Sequence, residues 1–208
     1  MIRRLRSPYG GVAGPALFAA AWALGGAIEP GYSPVHEAIS SLAAVGASVR
    51  LLMTTGLAGF GLGMLLYAGA LRSAVPGPAW LAALGAGVAV LGVIAVPLGV
   101  SPATDDVHGG FAIAAYVALV AMPLLAARPL AAGGRRGVAR LSVATGVASG
   151  LCLAGMALGA TPGLLQRIGL TVVDAWVVGS AACVLRTTRS TGEPGGNPAN
   201  AWRDPAPR

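Results

Sequence analysis

Charged residues are scarce in this chain of 208 residues. Only 10% of the residues are charged, 5% are aromatic and lysine is absent, whereas 55% are hydrophobic. The mean hydropathy is +0.74, and soluble domains typically carry about 25% charged residues. The composition therefore excludes an ordinary water-exposed surface and predicts a protein that is surrounded mostly by lipid.

Cysteine and histidine are also scarce, and each scarcity excludes a class of function. The two cysteines, Cys152 and Cys183, lie inside apolar runs, so they behave as small hydrophobic residues and form no disulfide framework. The two histidines, His36 and His108, lie outside the apolar runs. This placement disfavours haem or quinone chemistry in the middle of a bundle.

Long apolar runs dominate what is present. A membrane-spanning helix needs about 20 apolar residues, because it rises about 1.5 Å per residue through a hydrocarbon core of about 30 Å. Six runs qualify, at residues 11–28, 51–71, 79–100, 111–127, 141–160 and 168–185. Pro123 and Pro129 can kink or stop the helix that the fourth run predicts. The sequence predicts an all-α integral membrane bundle of six transmembrane helices.

The remaining segments define the domain organisation and the orientation. Residues 1–185 form the predicted transmembrane domain, and residues 186–208 form a predicted disordered cytoplasmic tail, because that segment cannot bury a core. With six spans, only Arg50 and Arg167 of the fourteen arginines lie on one side. The positive-inside rule therefore predicts that both termini are cytoplasmic and that the protein lies in the cell membrane. The arginines fall in short clusters between the spans, which is typical of membrane orientation, so we expect no binding of nucleic acid.

Small residues within the spans predict close helix packing. Gly59 and Gly63, and likewise Gly155 and Gly159, are four residues apart. Such pairs allow two helix backbones to approach in lipid, where no hydrophobic force drives association. The expected role is packing within the bundle, and a homo-oligomeric interface through the same faces is the alternative.

The chemistry-bearing residues concentrate on the side that is poor in arginine. The connection Glu29 to Arg50 is the longest there, and Ser33 followed by Pro34 predicts the start of a short helix. We expect this connection to pack against the one that carries Asp105. With Asp174, the candidate ligand site on this outer face comprises His36, Glu37, Ser40, Asp105, Asp106, His108 and Arg167.

Asp174 is the ionisable residue within a predicted span. A carboxylate there is unfavourable and normally faces the bundle interior with a partner. Arg167 lies seven residues earlier on the same helical face, with Thr171 between them. The sequence predicts an Arg167–Asp174 link, direct or through Thr171, and a ligand-binding or proton-handling role is the alternative.

Two chemical alternatives remain for the outer face. His36, Asp106 and His108, together with Glu37, offer nitrogen and oxygen ligands that suit zinc, although their spacing matches no strong metal signature. Ser40 or Ser41 can act as a nucleophile with a histidine base, although no nucleophile elbow surrounds them. We therefore expect no cofactor and assign no catalytic residue.

Several segments resemble a known family. They are Trp22, Gly26, Pro30 to Pro34, Ile39 to Leu42, Pro97, His108, Gly163 to Arg167 and Trp176. The chain resembles, up to about residue 185, the DUF998 family of small bacterial and archaeal membrane proteins. The resemblance implies a six-helix bundle, and it implies no reaction because that family has no established activity.

Three functions remain open. The sequence favours a non-catalytic membrane protein that binds a lipid headgroup or a protein partner through its polar outer face. The alternative is a membrane-embedded hydrolase, with or without a metal, that uses the outer histidines and acids. A small transporter is less favoured, because a permeation path needs several intramembrane polar positions and Asp174 supplies only one.

Overall fold

The computed structural model describes residues 7–159 and 161–190. Regular structure in these residues is entirely helical. Five of the helices are long and apolar enough to cross a membrane, and α3 is a shorter apolar helix of 17 residues. The elements are α1 Gly10–Ile28, a 3-10 helix Ile39–Ala43, α2 Arg50–Ala74, α3 Ala79–Ala95, α4 Pro102–Ala132, α5 Arg136–Ala157 and α6 Pro162–Ser190.

The six α-helices run antiparallel to their neighbours and form a closed ring. Each helix contacts the next one along the chain, and α6 returns to contact α1. Near the start of α1, Gly10 lies against Gly63 of α2, whereas near its end Gly25 lies against Val49, which precedes α2. The predicted all-α membrane bundle is confirmed.

The two ends of the bundle differ in chemistry. We call the end that carries residues 29–49, residues 96–101 and the α5–α6 connection the loop face. The opposite end, which carries residues 75–78 and 133–135, is the arginine face. The start of α1 and the end of α6 both lie at the arginine face.

Glycine sets the contact between α1 and α2. A Cβ atom on Gly63 would lie 2.7 Å from the carbonyl oxygen of Gly10 and 2.9 Å from the Cα atom of Gly14. A Cβ atom on Gly59 would lie 2.8 Å from a methyl carbon of Leu17. The predicted close packing at Gly59 and Gly63 is therefore confirmed, with Leu17 as the partner of Gly59 and with Gly10 and Gly14 as the partners of Gly63.

The second glycine pair behaves differently. A Cβ atom on Gly155 would lie 3.0 Å from Leu165 of α6, so this residue does pack closely. Gly159 instead has a φ of +82°, and a Cβ atom there would meet nothing within 4 Å. It follows the end of α5, where a left-handed conformation favours glycine, so the prediction of a packing role for Gly159 was wrong.

The apolar run predicts that the fourth helix begins at residue 111, whereas α4 begins at Pro102. The Ser101 hydroxyl accepts a hydrogen bond from the Thr104 amide at 3.2 Å, and the Thr104 hydroxyl oxygen accepts one from the Ser101 amide at 2.9 Å. This capping box, with Pro102 in the first turn, starts the helix in polar sequence. The helix then continues through Pro123 and Pro129 to Ala132.

Other boundaries also differ from the predictions. Helix α6 begins at Pro162 rather than at residue 168 and continues to Ser190, into the segment that was predicted to be a disordered tail. The rest of that tail lies outside the described residues. Helix α3 ends at Ala95, so residues 96–100 belong to the loop face and not to a span.

The helix predicted to start at Ser33 is replaced by a turn. The Glu37 carboxylate accepts a hydrogen bond from the Ser33 amide at 2.8 Å, which closes the segment after one turn. Ala38 is extended, and the short 3-10 helix starts only at Ile39. Ile39 and Leu42 are buried against the bundle, so the connection covers the top of the helices.

Candidate binding site at the loop face

The connection between α1 and α2 is closed at its base by Glu29. The Glu29 carboxylate accepts hydrogen bonds from the Ser48 hydroxyl at 2.6 Å, from the Ser48 amide at 3.2 Å and from the Val49 amide at 3.0 Å. The Ser48 hydroxyl in particular lowers the pKa of Glu29 below its ordinary value. The two ends of residues 29–49 are thereby held together beside the start of α2, where a negative charge is favourable.

Gln166, at the start of α6, ties this connection to two helices. The buried Gln166 side chain accepts a hydrogen bond from the Ile39 amide at 2.7 Å and donates one to the hydroxyl of Tyr116 on α4. An unpaired amide in this position would be unfavourable because it is buried. Gln166 therefore fixes the position of the 3-10 helix over the bundle.

Arg167 makes the most extensive set of contacts at the loop face. One guanidinium nitrogen, Nη1, donates to the carbonyl oxygens of Pro34 at 2.7 Å, Gly163 at 2.9 Å and Glu37 at 3.2 Å. The other, Nη2, donates to the Tyr32 hydroxyl. The guanidinium carbon also lies 5.5 Å from the Tyr32 ring centroid, which adds a cation–π contact. Arg167 therefore clamps the connection onto α6.

Two neighbours of Arg167 make this clamp possible. Tyr32 is half-buried, and burial raises the pKa of its phenol despite the opposing hydrogen bond from Arg167. The neutral hydroxyl then donates to the carbonyl oxygen of Ala38 at 3.0 Å. Gly163 leaves room for the backbone of the connection, since a Cβ atom there would overlap the Glu37 carbonyl oxygen and lie 2.6 Å from that of Pro34.

His108 forms a second polar centre, on the first turns of α4. The side chain is 3% exposed, and its Nδ1 atom lies 2.7 Å from the carbonyl oxygen of Val96. Because only a protonated nitrogen can bond to a carbonyl oxygen, Nδ1 carries the hydrogen. The buried Nε2 atom has no hydrogen-bond partner, and in the neutral ring it presents a lone pair.

A small cavity lies against this histidine. It has a volume of about 40 Å³, and its polar lining residues are Arg50, Thr54 and His108. About 10–15 Å³ of such space holds one water molecule, so the cavity accommodates a group of roughly three heavy atoms. Because Arg50 is exposed, the cavity combines a buried acceptor, a hydroxyl and an accessible cation.

A second cavity lies deeper in the bundle. It has a volume of about 50 Å³, and its lining is largely apolar, including Phe18, Phe60 and Leu119. Leu57 and Val93 line both cavities. The polar space at the loop face therefore backs onto an apolar one, with these two side chains as the shared wall.

The predicted outer-face residues do not form one cluster. His36 is exposed on the turn at residues 34–36, and Asp106 is exposed on α4. The Asp105 carboxylate accepts a hydrogen bond from the Gly99 amide at 2.8 Å, and Ser40 lines the apolar cavity. The two connections do pack together as expected, because the Val45 amide donates to the Leu98 carbonyl oxygen at 2.9 Å.

Neither alternative chemistry is assembled. Within the described residues, no group of three or more His, Cys, Asp or Glu side chains can hold a metal ion, so the structure does not bring His36, Asp106 and His108 together as zinc ligands. In the same part of the chain, neither Ser40 nor Ser41 is hydrogen-bonded to a histidine side chain, and Nδ1 of His108 bonds to the carbonyl oxygen of Val96 instead. Both serines therefore lack the activation that a nucleophile needs.

The predicted link between Arg167 and Asp174 is absent from the described residues. Both side chains are 8% exposed and face the interior, but Nη1 and Nη2 of Arg167 bond to the loop face. The Arg167 Nε atom and one Asp174 carboxylate oxygen, Oδ1, are both buried without a partner. Thr171 is exposed and cannot connect them. Side chains on a helix lean toward its N-terminus, so Arg167 points away from Asp174.

Sequence reasoning missed two contributors to the site and placed a third in the wrong kind of element. Tyr116 and Thr54 lie inside apolar runs and carried no pattern that separates them from packing residues. Gln166 was placed in a loop because the apolar run starts after it. Pro162, a favourable first residue for a helix, was the signal that α6 starts earlier.

Comparison with known proteins identifies the family. Residues 12–183 match the family described as "Protein of unknown function (DUF998)". No curated protein and no solved structure matches the chain. The match spans all six helices, from α1 to the greater part of α6, and so includes both Arg167 and His108. The chain therefore belongs to the DUF998 family of proteins of unknown function.

Proposed function

We propose that this protein is a non-catalytic membrane protein that binds a phospholipid headgroup at the loop face. The observation that carries the proposal is the buried, unpartnered Nε2 atom of His108 in a cavity shared with Arg50 and Thr54. A buried polar atom without a partner is unfavourable unless a bound group satisfies it.

The chemistry of the cavity defines the headgroup. Because the cavity accommodates a group of only roughly three heavy atoms, the terminal end of the headgroup enters it, and the phosphate lies at its mouth, where the exposed Arg50 and the Thr54 hydroxyl are donors that suit it. The Nε2 lone pair of His108 requires a donor, which a glycerol hydroxyl or an ethanolamine ammonium group supplies and a choline group does not. We therefore expect phosphatidylglycerol and phosphatidylethanolamine to bind more tightly than phosphatidylcholine.

The proposal also includes an orientation. Among the described residues, every arginine except Arg50 and Arg167 lies at the arginine face, so the positive-inside rule favours placing that face in the cytoplasm and the loop face outside. The headgroup would then belong to the outer leaflet of the cell membrane. Gln166 supports this role because it fixes the 3-10 helix Ile39–Ala43, whose last residue, Ala43, lines the cavity.

Binding of short-chain phospholipids to the detergent-purified protein tests the proposal. We expect Arg50→Gln to weaken binding of dihexanoyl phosphatidylglycerol about tenfold, as the loss of a charged hydrogen bond implies. His108→Leu should abolish the preference for phosphatidylglycerol over phosphatidylcholine. His36→Gln is the matched control, because that histidine is exposed and does not line the cavity.

Two results would contradict the proposal. One is wild-type affinity and headgroup preference in both Arg50→Gln and His108→Leu. The other is equally tight binding of glycerol phosphate in place of the lipid, which would indicate a soluble ligand.

A further inference from the structure

A separate groove lies at the arginine face, between the end of α4 and the start of α5. It has a volume of about 760 Å³. Above it the two helices touch, since a Cβ atom on Gly146 would lie 3.1 Å from the carbonyl oxygen of Val120. Below that contact, Ala127 and Ala144 leave the space between the helices open, and Leu124 and Val143 add apolar surface.

Three arginines line this groove. Arg128 belongs to α4, and Arg136 and Arg140 lie one turn apart on α5. All three are exposed. The acidic residues of the described chain lie at the loop face or within α6, so no acid among them neutralises the groove. The groove is therefore strongly positive at the level of the membrane surface.

An exposed apolar stripe continues from the arginines into the membrane. Along one face of α5, Arg140 is followed by Val143, Val147 and Leu151, which are 45%, 50% and 70% exposed. The distance from Arg140 to Leu151 is about 16 Å at about 1.5 Å per residue, which matches half of a hydrocarbon core of about 30 Å. Charge and apolar surface thus succeed each other over the depth of one leaflet.

We propose that this groove binds one anionic phospholipid. The phosphate lies between Arg128, Arg136 and Arg140, and one acyl chain follows the groove floor and then Val147 and Leu151. Arginine pairs with phosphate through two parallel hydrogen bonds, and basic pockets between helices at the cytoplasmic surface suit anionic headgroups. This site lies at the opposite end of the bundle from the loop-face cavity and does not depend on it.

Native mass spectrometry of the full chain, released from nanodiscs of dioleoyl phosphatidylglycerol or phosphatidylcholine, tests the proposal. Each arginine near a membrane surface contributes about a fivefold factor to the binding of anionic lipid. We therefore expect Arg136→Gln with Arg140→Gln to reduce retention of phosphatidylglycerol roughly thirtyfold. Arg186→Gln is the control for surface charge outside the groove, because Arg186 is exposed on α6 and does not line the groove; we expect it to lose no more than the roughly fivefold factor of one surface arginine.

A second variant tests the seat of the acyl chain. Ala144→Phe fills the groove floor without changing the charge, and we expect it to reduce retention of phosphatidylglycerol as well. Unchanged thermal unfolding of both variants in detergent shows that they fold. Wild-type retention in the double arginine variant would overturn the proposal, and so would full retention in Ala144→Phe, since the lipid would then be held by surface charge alone.

Discussion

Gly163→Ala probes how tightly the loop face is docked on α6. The new Cβ atom would overlap the Glu37 carbonyl oxygen and would lie 2.6 Å from the Pro34 carbonyl oxygen and 3.0 Å from the Glu37 amide nitrogen. All three are backbone atoms, so no side-chain rotation relieves the overlap. The connection has to move away from α6, and the hydrogen bonds of Arg167 to Pro34 and Glu37 have to lengthen.

The expected loss of stability follows from two opposing terms. Overpacking at a tight contact costs about 1–3 kcal/mol, whereas replacing glycine by alanine in a helix gains up to about 1 kcal/mol. We expect a net loss of about 1–2 kcal/mol, which lowers the unfolding temperature by roughly 2–8 °C. Thermal unfolding in detergent, followed by circular dichroism, measures it.

The same helix offers a matched control. Gly179 is exposed on α6, and a Cβ atom there meets nothing within 4 Å. Gly179→Ala should therefore leave the unfolding temperature unchanged or slightly higher. Equal stability of the two alanine variants would refute the docking of the connection on α6.

Three further predictions concern charge and orientation. The pKa of Glu29 is lowered in the folded protein, so the stabilising contribution of its carboxylate is complete at neutral pH and disappears as the pH falls through that lowered value. Glu29→Gln should remove this part of the acid sensitivity of the unfolding temperature. An unchanged pH profile of thermal unfolding in the variant would argue against the contact with Ser48. Because Asp174 has no bond to Arg167, the stability losses of Asp174→Asn and Arg167→Ala should be additive, with a coupling below about 0.5 kcal/mol in a double-mutant cycle of thermal stability. A larger coupling energy would show that the two residues interact after all. A cysteine at Gly133 should be labelled only after the cell is opened, and labelling of intact cells would reverse the proposed orientation.

The number and approximate positions of the helices followed from the sequence, because the length of an apolar run is set by the thickness of the bilayer. The ends of the helices did not follow from it. Asp105 and His108 are polar, so the apolar pattern stopped short of them, although the capping box at Ser101 places both in α4. Near the membrane surface a helix continues wherever its polar side chains find hydrogen-bond partners, so the length of the apolar run does not predict where the helix begins or ends.

The candidate site was predicted in composition but not in arrangement. His36 and His108 were assigned to one face correctly, yet one is exposed and the other is buried. That difference depends on which of the first residues of α4 faces Val96, at the end of α3, and the adjacent cavity, and no local sequence pattern specifies it. Asp174 and Arg167 share a helical face as predicted, but shared spacing does not specify the direction in which a long side chain extends.

The contacts of α6 with the loop face also determine when that face is completed. Ile39 is joined to Gln166 and Pro34 to Arg167 across 127 and 133 positions of the chain. During synthesis the connection emerges early, but its partners arrive only with the last helix. In a chain truncated before α6, the backbone groups that Gln166 and Arg167 satisfy would stay unpaired. Residues 29–49 would then be open to proteolysis, so their protection from protease reports that α6 has been inserted.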